Sequence, residues 1–292
     1  MNKSLSPLRY PGGKYKIYDK VKNLIEINGL DNRSYVEPFS GGFGIGLGLL
    51  RDNIVQTAVL NDFDPHIYNF WHTILYHVDD FLQLMADTPI TIEERDHQKE
   101  IYEDKDADQV RDGFAAFFLN RVNFSGIITG GPIGGFMQSG TYKLDCRFNK
   151  DVIKKKVEQI ALMRDRIELY NYDASELIAR HLHERIQECF FNIDPPYVEK
   201  GHRLYTNFFK EDDHRNFEKT VAEHLGDACW IITYDDCELI RDIYKDYYMI
   251  EYDILHNAGG SVQGKEVVIT NKAVLVGLFG KKDDIVEVGI RN

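Results

Sequence analysis

The apolar run Phe190-Phe191-Asn192-Ile193, followed at once by Asp194-Pro195-Pro196-Tyr197, constrains this chain more than any other stretch. The run reads as the end of a buried strand. The two prolines stop it, because neither donates a backbone hydrogen bond and both fix φ. A carboxylate, a stiff carbonyl and an aromatic ring are thereby held at a strand's carboxyl end, where open α/β sheets place their chemistry. The plain alternative is a tight turn after a strand.

A βαβ pattern surrounds this motif. Ser34 to Phe39 reads as a short strand, Ser40 to Gly46 as a glycine-rich loop, and Leu47 to Arg51 as helix. Ala58 to Leu60 reads as a second strand, stopped by Asn61-Asp62-Phe63-Asp64-Pro65. Between residues 66 and 166 the pattern changes to aromatic-rich and charged helical stretches around a glycine-rich loop at 126–140. Strand and helix alternation then resumes: strands at 167–170, 189–193 and 230–234, and helices at 174–185, 212–225 and 237–244. Residues 248–255 and 266–271 flank Gly259-Gly260 as an antiparallel hairpin, with 272–279 extending its last strand. The expected architecture is an α/β chain of two parts. Residues 1–65 and 167–292 form a Rossmann-like catalytic sheet ending in an antiparallel hairpin, and 66–166 form a mostly helical insertion.

Bulk properties narrow the function. In 292 residues, 43% are hydrophobic and 28% charged, which is enough apolar material for a sizeable core. No apolar run reaches the length of a membrane span, and the N-terminus has no signal-peptide stretch. The four cysteines (Cys146, Cys189, Cys229, Cys237) lack metal spacing, so reduced thiols, no metal site and a cytoplasmic location are expected. The net charge of −12 argues against nonspecific coating of nucleic acid. It leaves room for a nucleic-acid enzyme with a local basic face.

The loop Gly41-Gly42-Phe43-Gly44 lets backbone approach a ligand at a helix N-terminus, a device shared by nucleotide, flavin and phosphate sites. It meets neither the dinucleotide fingerprint nor the Walker pattern. Asp62, at the end of the next strand, is placed either to take ribose hydroxyls or to cap a helix.

Taken in order, these motifs resemble the Dam-type adenine-specific DNA methyltransferases, which use S-adenosylmethionine. Arg9-Tyr10-Pro11-Gly12-Gly13-Lys14 looks like that family's first motif, and Glu37-Pro38-Phe39-Ser40-Gly41-Gly42 like its second. Asn61-Asp62, followed by Phe63, resembles the ribose-binding element. Asn120-Arg121-Val122-Asn123-Phe124-Ser125-Gly126 is similar to the family's Asn-Arg-x-x-Phe-x-Gly, and 265–271 to its closing hairpin. The resemblance spans about residues 4–275. One departure is Asp64, where many relatives carry asparagine.

The resemblance implies a cofactor pocket lined by Tyr10, Lys14, Glu37, Pro38, Phe39, Ser40, Gly41, Gly42, Asp62, Phe63, Asp173 and Asp194. It implies catalysis by Asp194, Pro195, Pro196 and Tyr197. Asp194 and the Pro195 carbonyl would accept the two hydrogens of an adenine amine, and Tyr197 would stack on the base. The substrate would be double-stranded DNA with the target base flipped out. DNA contacts are expected from Arg121, Asn123, Ser125, Lys143, Arg147, His202, Arg203 and Lys265. A monomer is expected, and a cognate restriction endonuclease is a partner that the resemblance admits. Rival readings are a methyltransferase acting on RNA or a protein amide and a catalytically silent DNA-binding module. An intact Asp-Pro-Pro-Tyr argues against the silent module.

Overall fold

In the computed structural model of the chain, residues 4–9, 14–198, 209–256 and 262–271 are described, without the side chains of 253–264. Five parallel strands form the centre of a seven-stranded sheet: β1 (Ser34–Glu37), β2 (Ala58–Asn61), β3 (Ile167–Tyr170), β4 (Cys189–Ile193) and β5 (Cys229–Asp235). The hairpin strands β6 (Tyr248–His256) and β7 (Val262–Thr270) complete it, with β7 antiparallel to β5. The order is β3-β2-β1-β4-β5-β7-β6. It reverses between β1 and β4, so a crevice opens at the carboxyl ends of those two strands. This is an α/β fold of the Rossmann-like methyltransferase type.

The sequence explains why these segments pair so deeply. Every residue of β2, β4 and β5 is buried, as expected for parallel strands covered on both faces. Alternation then divides the core. Tyr35, Leu60, Phe190 and Ile231 face one hydrophobic cluster, and Val36, Val59, Phe191 and Ile232 face the other.

The first cluster is covered by α1 (Tyr18–Asn28), α2 (Gly44–Arg51), α3 (Pro65–Tyr76), α4 (Val78–Asp87), α6 (Gln109–Val122) and α7 (Lys150–Ala161). α5 (Ile92–Glu103) packs outside α6. α1 lies ahead of the first element that the sequence pattern delineates. Asp64 accepts from His66 N at 2.9 Å and Pro65 opens α3, a standard helix start. α3 and α6 approach closely at Gly113, where a Cβ would lie 2.4 Å from the Asn69 carbonyl oxygen. The helices within 66–166 therefore share one continuous core with the sheet.

The second cluster is covered by α8 (Ala174–Glu176) and the turns after it, α9 (Glu211–His224) and α10 (Glu238–Ile243). One continuous helix is expected over 174–185. Instead, α8 runs into a wide turn at Leu177–His181, where Leu182 N donates to Leu177 O at 3.0 Å. The wide turn brings Leu177 and Leu182, five residues apart, both fully into the core. Among the described residues, no helix is long and apolar enough to cross a membrane.

Candidate active site

Three strand ends meet at the crevice. Beyond β1, Ser40 Oγ donates to Glu37 O at 2.7 Å and accepts from Asn61 N at 3.0 Å. Asn61 Nδ2 donates to the carbonyls of Pro38 and Tyr172, both at 2.9 Å, and Tyr172 N returns a bond to Asn61 Oδ1. The buried Asn61 amide thus ties the ends of β1, β2 and β3 together. The sequence named it only within Asn61-Asp62, with no role for its own side chain. Gly41 at φ 47° and Phe43 at φ 45° turn the chain tightly into α2. Trp71 Nε1 on α3 donates to Gly41 O at 2.9 Å, fixing the loop from below.

Asp62 uses one oxygen for each of two backbone donors, Gly41 N at 2.8 Å and Asp64 N at 3.0 Å. Burial, with Asp64 adding like charge, still pushes its carboxyl up to about 7. Phe63 beside it is exposed and Pro38 is buried. Phe39 packs edge-on against Phe209 and Phe217. Gly42 is partly exposed at the crevice. Glu37 is buried beneath the loop, accepting from Tyr35 Oη at 2.7 Å and Gly46 N at 3.2 Å, and burial pushes it up to about 8. Asp173 caps the turn after β3, accepting from Ser175 N at 2.9 Å and Glu176 N at 3.3 Å.

Across the crevice, register sets the Asp194 geometry. Ile193 pairs with Ile232, so Asp194 emerges beside Thr233. Thr233 Oγ1 donates to Asp194 Oδ1 at 2.9 Å, and Lys14 Nζ lies 3.3 Å from the same oxygen. Among the described residues, Asp194 Oδ2 and the Pro195 carbonyl oxygen accept no hydrogen bond. Burial raises the Asp194 carboxyl to about 6, opposed by the Lys14 charge and reinforced by Glu266.

A buried cluster stands behind this acceptor. Lys14 Nζ donates to Glu266 Oε2 at 2.7 Å and to the Tyr197 hydroxyl, and Tyr197 Oη donates to Glu266 Oε1 at 2.8 Å. Tyr252 Oη also donates to Glu266 Oε2, because Tyr252 sits directly opposite Glu266 in the β6–β7 register. Burial alone would raise the Glu266 carboxyl. The Lys14 ammonium and the hydrogen bonds from Lys14, Tyr252 and Tyr197 outweigh it and hold it below the usual range. Tyr197, expected to stack on a base, is only 5% exposed and is tied by its hydroxyl into this cluster. Pro195 and Pro196 are buried beside it. Glu266 and Thr233 were not singled out by the sequence, although an acid inside the apolar strand 266–269 is a legible signal.

The residues expected to meet DNA divide sharply. Asn123 is fully buried: Oδ1 accepts from Arg95 Nε at 2.8 Å and Nδ2 donates to Ile128 O at 2.6 Å. Both polar ends are used inside the protein, so its side chain shapes the loop and does not face a groove. Asn120 pairs both ways with the Arg9 backbone, at 2.7 and 3.0 Å, and also donates to Gly126 O. Arg121 is partly buried and donates to Pro7 O at 3.2 Å. Ser125, at φ 57°, is partly exposed. Arg147 is exposed near Arg9 and Arg121. None of these three arginines forms an ion pair among the described residues. Burial, with like charge from Arg9 and Arg147, lowers Arg121 to about 10. Lys143 is exposed and donates to Gln138 O at 2.5 Å. Lys265 is exposed on β7, 3.7 Å from Glu251. Tyr10, His202 and Arg203 lie outside the described residues, as do Gly259-Gly260 and 272–279.

No curated protein matches the chain. The family model of the D12 class N6 adenine-specific DNA methyltransferases matches residues 10–257, a stretch that includes both walls of the crevice. The chain therefore belongs to this family, and it is a DNA adenine methyltransferase.

Proposed function

We propose that the enzyme transfers a methyl group from S-adenosylmethionine to the exocyclic amino nitrogen of an adenine flipped out of duplex DNA. The observation that carries this is the pair of acceptors, Asp194 Oδ2 and the Pro195 carbonyl at the carboxyl end of β4, that accept no hydrogen bond among the described residues. An adenine amine has two hydrogens and a lone pair delocalised into the ring. Two fixed acceptors favour a tetrahedral nitrogen and stabilise the positive charge that develops on it.

The crevice residues suit the cofactor. Glu37, Asp62 and Asp194 place carboxyl groups at the crevice and its floor; burial favours their protonated forms, and a cationic guest would offset that cost and favour their charged forms. Asp62 keeps acceptor capacity for ribose hydroxyls, and the Gly41-Gly42 turn admits a ligand close to the backbone. When bound, S-adenosylmethionine supplies the activated methyl group. The protein's part is alignment and exclusion of water. Lys14, Tyr10 and Asp173 complete the proposed pocket.

Arg9, Arg121 and Arg147 form a basic patch without acidic partners among the described residues, in a chain of net charge −12. Such a patch supports phosphate binding. The loop beside it carries exposed Phe124, Phe136, Met137 and Tyr142, suiting a face that inserts into DNA. We assign target recognition to this surface of the 66–166 region, with Ser125, Lys143 and Lys265 as further contacts.

The test uses labelled S-adenosylmethionine and unmethylated genomic DNA, followed by digestion to nucleosides. Label in N6-methyl-2′-deoxyadenosine supports the reading, and label only in deoxycytidine would overturn it. Asp194→Ala is expected to abolish transfer while DNA binding persists.

A further inference from the structure

Among the described residues, the two groups hydrogen-bonded or ion-paired to the Asp194 carboxylate converge on one of its oxygens. Thr233 Oγ1 reaches Oδ1 from β5 at 2.9 Å, and Lys14 Nζ approaches the same atom at 3.3 Å. Lys14 is nearer to Glu266 Oε2, at 2.7 Å, and Glu266 is 1% exposed on β7. A lysine paired fully with Asp194 would occupy the acceptor that an amine needs. A lysine gone altogether would leave Glu266 a buried charge without its cation, a costly arrangement.

We infer that Thr233 and Glu266 are positioning residues for methyl transfer: Thr233 pins Asp194 Oδ1 directly, and Glu266 holds Lys14 back so that Oδ2 stays presented to the amine. The inference rests on the reading of Asp194 as the amine's acceptor. It adds two residues on two strands, outside the Asp-Pro-Pro-Tyr motif, that set the orientation and charge of that acceptor.

The two residues act on Asp194 with opposite signs. The Thr233 hydroxyl donates to the carboxylate and favours its ionised form. Glu266 disfavours ionisation, both by its own charge and by drawing the Lys14 ammonium toward itself. Among the described residues, Glu37 below Asp194 on β1 and the hydroxyls of Tyr35, Tyr234 and Tyr252 also interact with the Asp194 charge. Burial raises all three tyrosines, so they stay neutral where Asp194 titrates.

The experiment measures the single-turnover methyl-transfer rate of the full chain between about pH 5 and 9, with saturating S-adenosylmethionine and a duplex carrying the site mapped in the wild-type product. Glu266→Gln keeps the side chain's shape and removes its charge. Its plateau rate is expected to fall about tenfold or more, with the acid limb shifted to lower pH by about half a unit or more. Thr233→Val is nearly isosteric and is expected to slow transfer while shifting the acid limb to higher pH. A purely structural role would lower the melting temperature without opposed limb shifts. Both limbs unmoved, or both moved the same way, would overturn the inference. Should Glu266→Gln fail to fold, Thr233→Val decides alone: an upward shift supports the inference and an unmoved limb rejects it. Wild-type enzyme that places no methyl group on adenine nitrogen would instead defeat the underlying reading.

Discussion

The indole nitrogen of Trp71 donates to the carbonyl oxygen of Gly41 across 2.9 Å. Gly41 belongs to the loop that turns from β1 into α2, and Trp71 belongs to the first helix after β2. The ring also meets Phe43 edge-on, with centroids 6.1 Å apart. The Gly41 turn, part of the proposed cofactor pocket, is therefore held from both sides, by Asp62 on its nitrogen and by Trp71 on its carbonyl.

Trp71→Phe keeps most of the apolar contact and removes the donor. The buried Gly41 carbonyl loses its partner, which costs about 1–3 kcal/mol. Denaturant unfolding should show that loss. Isothermal titration should show weaker S-adenosylmethionine binding, because the loop proposed to frame the pocket loses a tether.

Gly113→Ala tests the close crossing of α3 and α6. The added methyl would meet the Asn69 carbonyl at 2.4 Å, so the helices must separate. A destabilisation of about 1–3 kcal/mol is expected, although alanine is the better helix former. An unchanged or raised melting temperature would show that the crossing can relax.

Glu37 makes stability depend on pH. Burial holds its carboxyl at about 8 in the folded chain, against an ordinary value of 4.5. Between those values the folded chain keeps a proton that the unfolded chain has released, so stability falls as pH rises and levels off above about 8. Glu37→Gln retains an acceptor for Tyr35 and Gly46 and has no proton to lose. Its stability should decline less from about pH 5 to pH 8 than that of the wild type.

Arg147 is the exposed member of the arginine patch and makes no ion pair among the described residues. Arg147→Ala should weaken DNA binding nearly uniformly across sequences and reduce the salt dependence by about one phosphate contact. Asn123→Ala should behave differently. Its side chain is buried and fully bonded, so the first effect expected is lower stability. Binding titrations at several salt concentrations, paired with melting curves, separate the two.

The sequence by itself determined the elements that carry their own local signal. Strands β1, β2, β4 and β5 are short apolar runs cut off by proline, glycine or acid, and the hairpin is an apolar pair around a glycine tip. Asp62 and Asp194 were found because an acid that ends such a run is conspicuous. What the sequence left open depends on partners far along the chain. Glu266 meets Lys14 from 252 positions away and Thr233 meets Asp194 from 39; strand register makes the second pair neighbours, and the packing of the turn Lys14–Ile17 against the sheet makes the first. The same holds for Asn123, which looked like a DNA contact within its motif and is consumed by Arg95 and Ile128. Local pattern reports which face of an element is apolar. Only the packed sheet decides which polar atoms are already bonded and which, like Asp194 Oδ2 among the described residues, are not.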